Sequence, residues 1–127
     1  MTEVLRTVES VMSGVMLYQN INANFLEVLD LLHRNNADAI IVMNNGLPQG
    51  IITEIEILQG LLTAREKFPQ LTAKDFMRSP LVTVGHNDDI QQAKDMMINV
   101  NLSKLPVKKE DELVGLITQR DILNYLF

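Results

Sequence analysis

Gly50–Leu58 reads GIITEIEIL, and Gly115–Leu123 reads GLITQRDIL. These strings are the clearest part of a duplication at a fixed offset of 65 residues. With Glu9–Leu62 laid on Lys74–Phe127 without a gap, the identities include Met12/Met77, Asp30/Asp95, Val42/Val107, Gly50/Gly115, Ile52/Ile117, Thr53/Thr118, Ile57/Ile122, Leu58/Leu123 and Leu61/Leu126. Average residue usage gives about three or four by chance. A unit of about 55 residues buries too little of its own surface to stand alone. The halves are therefore expected to pack on each other, which makes the pseudo-twofold cleft between them the first place to look for a site.

The 127 residues have the size of one ordinary domain, and 46% of them are hydrophobic, enough for a real core. No apolar run reaches the length of about 18 residues that spans a bilayer, and MTEVLRTVES has no continuous apolar stretch of the secretory kind. The chain has no cysteine, which excludes disulfides and thiolate sites and fits a cytoplasmic location. A net charge of −5 argues against a nucleic-acid partner. The imbalance is local: residues 1–63 carry −5 and residues 64–127 carry zero. Phosphates of an anionic ligand should lie towards the second repeat.

Each unit reads β-α-β-β-α. The strand-like stretches Met16–Ile21 and Leu81–Val84 lead into polar residues suited to helix caps, Asn22–Asn24 and Asn87–Asp89. Helical spacing follows at Phe25, Val28, Leu29 and Leu32, and again at Ile90, Ala93, Met97 and Val100. Two hairpins come next, Ala39–Met43 with Gln49–Ile52 and Lys104–Lys108 with Leu113–Ile117. Asn44-Asn45-Gly46 is a tight-turn signal in the first. The closing helices begin after Thr53 and Thr118, and the first is expected to run through Arg65 and Lys67 until Pro69 stops it. The duplication divides the chain into residues 1–66 and 67–127, with the N-terminal segment in the first part and the linker in the second.

The glycine-to-acid strings end a strand and open a helix. A glycine there permits close approach of another backbone or a ligand. Thr and acid three residues apart can face the same way. An acceptor beside a hydroxyl that both donates and accepts suits a ribose diol. The same spacing is also the ordinary capping box, with no ligand required. Thr53 to Glu56 fits that box better than Thr118 to Asp121, because Asp is shorter. His33 and His86 are far apart in sequence and read as surface residues, no metal-ligand spacing is present, and Asp88-Asp89 reads as a helix cap.

With V-M-S (Val11–Ser13), F-M-R-S-P-L-V-T-V (Phe76–Val84), K-L-P-V (Lys104–Val107) and the two G-h-h-T-x-x-acid strings in order, residues 9–127 resemble a tandem pair of CBS domains, the Bateman module. The resemblance implies an α+β fold of two repeats packed through their sheets by pseudo-twofold symmetry. It implies a regulatory sensor, not an enzyme, with no required cofactor and with AMP, ADP, ATP or S-adenosylmethionine as regulatory ligand. Thr118 and Asp121 would hold the ribose. The base would lie around Ser79, Pro80, Val82, Leu102, Ser103, Lys104 and Pro106. Arg78, Lys104 and Arg120 are the candidates for the phosphates. The first copy departs from the pattern: Glu56 stands for Asp, and Gly14-Val15 replaces Ser-Pro. A site at Thr53 and Glu56, lined by Leu17, Ala37 and Ala39 with Asp38 nearby, is expected to be weak or empty. The resemblance also implies a homodimer and an unidentified effector protein or domain. The alternative is a dimerisation module without ligand, in which both Thr-x-x-acid strings only cap helices. The apolar ends Leu61-Leu62 and Leu126-Phe127 favour pairing.

Overall fold

The duplication folds as two sets of helices and strands in a computed structural model that describes residues 6–126. In chain order the first elements are α1 (Val8–Val11), β1 (Met16–Asn20), α2 (Phe25–Arg34), β2 (Ala39–Asn44), β3 (Leu47–Ile52) and α3 (Glu54–Ala64). A 3-10 helix (Arg65–Gln70) and α4 (Ala73–Phe76) follow, then β4 (Val84–Gly85), α5 (Ile90–Asn99), β5 (Lys104–Lys109), β6 (Glu112–Thr118) and α6 (Gln119–Leu126). The strands form two sheets, β1-β2-β3 and β4-β5-β6. In each, the first pair is parallel and the second antiparallel. The fold is α+β, as the repeat pattern predicts.

The hairpin β2-β3 turns through Asn45 and Gly46, whose φ angles are 52° and 80°. Two successive positive values are what a two-residue hairpin matching the sheet twist needs. Asn24 caps α2 by accepting the Glu27 N–H at 2.9 Å. Asp89 caps α5, as its sequence position suggests.

The compact units cross the boundary at residues 66 and 67. One is Val15–Leu81; the other joins the segment up to Gly14 to the chain from Val82. The N-terminal segment therefore completes the core made by the second repeat. The linker, in turn, completes the first.

In the Val15–Leu81 unit, Phe25, Val28 and Leu32 of α2 pack on Ile40, Val42 and Ile52 with Ala73 and Phe76. The Phe25 ring meets Phe68 and Phe76 edge-on at 5.1 and 5.4 Å. In the other unit Val8 is fully buried with Ile90, Ala93, Leu105, Val107 and Ile117. Burial of that one side chain contributes about 1.5 kcal/mol towards holding the segment. Leu29 and Val100, also on the predicted stripes, stay more than a third exposed.

Two expectations are corrected. The stretch Leu81–Val84 is not a four-residue strand; β4 pairs with β5 only at Val84 and Gly85. The Gln119 N–H donates to Ser103 O, so alternate residues Ser103, Leu105 and Val107 turn their ladder groups to β6. Pro106 must then face β4, and it has no N–H to give. In the first sheet Ile41 holds that place, and β1 pairs along all five residues. The second correction concerns α3, which ends at Ala64 instead of running to Pro69. Arg65 takes φ 53°, and the chain tightens into the 3-10 turn that carries Phe68 onto Phe25.

Candidate functional site

Thr118 ends β6 and Asp121 lies in the first turn of α6, so strand and helix geometry fix both. They are 8% and 5% exposed. The Thr118 N–H donates to Asp121 Oδ2 at 2.8 Å, and the Asp121 N–H donates to Thr118 Oγ1 at 3.2 Å. Both halves of a capping box are present, so the shorter acid does close it. Lys104 lies opposite Thr118 in the ladder, and Ser103 O accepts from Gln119 at 2.8 Å. Ser103, Lys104, Thr118 and Asp121 are thereby brought together at one end of the sheet. Arg120 is exposed on the first turn of α6.

The remaining sequence candidates are distributed differently. Val82 and Leu102 pack against the core of this unit, and Pro106 is fully buried two residues along β5 from Lys104. Leu102 also lines a groove of about 570 Å³ between α5 and α6 with Met97, Ile122 and Leu126. Ser79 and Pro80 are exposed and belong to the Val15–Leu81 unit.

The residue that sequence reasoning missed is Ser13. Its hydroxyl donates to Asp121 Oδ1, and its N–H donates to Oδ2 at 3.3 Å. Its segment is tied down along its length. Thr7 caps α1, Val8 N–H donates to Asp88 O at 2.8 Å, Glu9 N–H to His86 O at 3.0 Å, and Gly14 N–H to Leu116 O at 3.0 Å. His86 Nδ1 lies 2.9 Å from Glu9 Oε2, so His86 is partnered and not merely a solvated surface group. The hydrogen bond from His86 holds the Glu9 carboxyl below its ordinary value; burial opposes this, and the charges of His86 and Lys109 add to it. The Arg6 guanidinium sits 5.4 Å from the Tyr125 ring centroid. Val11–Ser13 stood out as a motif, but 108 residues separate Ser13 from Asp121, and no local pattern signals that pairing.

Gly115 explains how the segment gets so close. A Cβ there would lie 2.5 Å from Met12 Sδ. The close approach expected of this glycine is made by the protein's own methionine. Gly50 works likewise in the other unit, where a Cβ would lie 2.7 Å from Arg78 O and 2.9 Å from Met77 Sδ. The Arg78 backbone exchanges hydrogen bonds with Ile51 at 3.0 and 2.9 Å along the edge of β3.

The equivalent turn in the first copy is closed on itself. Thr53 N–H donates to Glu56 Oε1 at 3.1 Å, and the Thr53 hydroxyl lies 3.0 and 3.1 Å from the two carboxylate oxygens. Both residues are buried. Ala37 and Leu17 pack in the core of that unit, and Ala39 is fully buried. Asp38 accepts the Val15 N–H at 2.7 Å. A groove of about 480 Å³ between α2 and α3, lined by Leu29, Leu32, Ile57 and Leu58, matches the α5/α6 groove at every lining position but Leu126.

Among the described residues, no group of three or more acids or histidines could hold a metal ion, and no helix is long and apolar enough to cross a membrane. Residues 73–127 match the sequence model of the CBS domain. A CBS-domain protein of Agrobacterium tumefaciens superposes with a TM-score of 0.86 over 95% of this chain and 93% of its own, at 19% identity. Residues 73–127 are a CBS domain, and the whole chain has the fold of a tandem CBS-domain pair. A second solved CBS pair, in complex with 5′-methylthioadenosine and S-adenosyl-L-methionine, covers 97% of each chain with a TM-score of 0.83 at 22% identity. An uncharacterized protein of Methanocaldococcus jannaschii is 30% identical over 116 residues, which cover 91% of this CBS pair. The pair spans 51%, 60% and 31% of the length of three curated relatives that it matches.

Proposed function

We propose that this CBS pair is a regulatory sensor that binds an adenosine-type ligand at the Thr118/Asp121 turn and signals the occupancy to an effector protein or domain. AMP, ADP, ATP and S-adenosylmethionine are the candidate ligands. The observation that carries the reading is the Asp121 carboxylate, with an oxygen turned to a donor outside its own turn and with Ser103 and Lys104 alongside. A carboxylate beside a hydroxyl matches the donors and acceptors of a ribose diol. Lys104 and Arg120 supply positive charge for phosphates. The complex of a similarly folded CBS pair with two adenosine derivatives supports the ligand class. The self-closed turn at Thr53 and Glu56 supports a weak or empty first site.

Calorimetric titration of the four ligands into wild type and Asp121→Ala tests the reading. We expect affinity to fall at least about tenfold in the variant, the equivalent of one hydrogen bond to a charged group. Equal affinity in both proteins would remove Asp121 from the site.

A second reading, a dimerisation module without ligand, is favoured by the paired grooves and by exposed Leu58, Leu62, Leu123 and Leu126 beside them. Phe127, named with Leu126 in the sequence, lies outside the described residues. A homodimer through these helices is compatible with either function. A monomeric mass in sedimentation at micromolar concentration argues against it. We infer a cytoplasmic setting from the cysteine-free composition, and no chemical step is proposed for the molecule.

A further inference from the structure

The acid proposed for the ribose already has an occupant. Asp121 accepts the Ser13 hydroxyl on Oδ1, and the Ser13 and Thr118 N–H groups on Oδ2. A carboxylate has about four lone-pair positions, so these three bonds leave little for an incoming diol. Asp121 is buried, whereas Ser13 is exposed. The serine thus covers the acid from the exposed side, between Met12, packed against the core, and the Gly14 N–H bonded to Leu116 O. Ser13 lies between two anchors, Val8 in the core and Gly14 on the edge of β6.

We propose that Ser13 is a built-in competitor of the ligand: its hydroxyl holds the Asp121 oxygen that a ribose needs, so ligand entry and release of the stretch around Ser13 form one equilibrium. This rests on the reading of Asp121 as the ribose acceptor. The ligand's gain is the difference between its own hydrogen bond and the serine's, so binding is weaker than an unoccupied carboxylate would give. The coupling is reciprocal. A partner that pulls the segment off β6 raises ligand affinity, and ligand binding loosens the segment for that partner. The equivalent position in the other copy is Arg78, and there Glu56 is closed by its own threonine. The device belongs to one turn only.

The test uses the full chain as wild type, Ser13→Ala and Ser13→Thr. Each is titrated with AMP, ATP and 5′-methylthioadenosine, and amide exchange at residues 8–14 is followed without ligand. Ser13→Ala should bind about tenfold more tightly, since one charge-assisted bond no longer competes. Ser13→Thr keeps the hydroxyl and should stay within about twofold of wild type. Without ligand, exchange at residues 12–14 should be about tenfold faster in Ser13→Ala than in wild type. If wild type binds and Ser13→Ala binds equally or less tightly, the competition is overturned while the ribose reading stands. If none of the three proteins binds any of the ligands, both fall. Unchanged exchange in Ser13→Ala overturns the latch whatever the titrations give.

Discussion

The turns Thr53–Glu56 and Thr118–Asp121 occupy equivalent places in the two repeats, yet one methylene gives them opposite characters. Glu56 is long enough to fold both oxygens back onto the Thr53 hydroxyl, and its hydrogen-bonding capacity is spent locally. Asp121 is too short for that. Its carboxylate keeps the Thr118 N–H on Oδ2 and reaches past its own turn to Ser13 through Oδ1. A capping box therefore does not exclude a ligand-binding role. What matters is whether the acid is closed by its own threonine or by a group that another molecule can replace.

The comparison is broken most severely at the glycines. Gly50→Ala places a Cβ against the carbonyl of Arg78, a residue whose backbone is held by two hydrogen bonds to Ile51, and should cost about 3 kcal/mol. Gly115→Ala meets only the flexible end of Met12 and should cost about 1 kcal/mol. Urea denaturation of both variants measures the difference, and equal costs would show that the two edges are equally rigid.

Exchanging the acids sharpens the comparison. Glu56→Asp should lose the contact with the Thr53 hydroxyl and about 1 kcal/mol of stability. Asp121→Glu should close on Thr118, release Ser13 and lower adenosine-ligand affinity, with stability changed by less than about 1 kcal/mol. Thermal denaturation and calorimetry read the two effects separately. An Asp121→Glu protein that binds as well as wild type would contradict the role given to side-chain length.

The smallest effect is electrostatic and belongs to the N-terminal segment. The Glu9 carboxyl is held below its ordinary value of 4.5 in the folded protein, chiefly by the hydrogen bond from His86. Its contribution is present above that unfolded value and fades as pH falls through the folded one. Melting temperatures of wild type and Glu9→Gln should differ slightly near neutrality and converge in acid below the folded value. A constant gap across that range would mean that the substitution acts through something other than this charge.

Much of the fold was legible because its signals are local. The stripe Phe25, Val28 and Leu32, the Asn45-Gly46 turn and the caps at Asn24 and Asp89 each act within a few residues of themselves. The duplication added the order of the elements. Pro106 shortened β4 through a missing donor whose direction depends on sheet register, which the sequence does not print. The turn at Arg65 serves the meeting of Phe68 with Phe25, 43 residues away in sequence. Thr118 and Asp121 could be picked out by spacing, but Ser13 could not, because the bond between them closes a long loop. Ser79 and Pro80 were placed with the base by the resemblance alone, and they belong to the Val15–Leu81 unit.

The placement of the first segment also dictates an order of assembly during synthesis. The core cluster of the Val15–Leu81 unit is drawn from within that stretch, so its members are all synthesised before the second repeat. Val8 and Ser13 emerge earlier but must wait for partners as late as Ile117, Asp121 and Ile122. The two parts of that unit thus flank the other one in the order of synthesis, and its core can close only after Gln119–Leu126 has emerged.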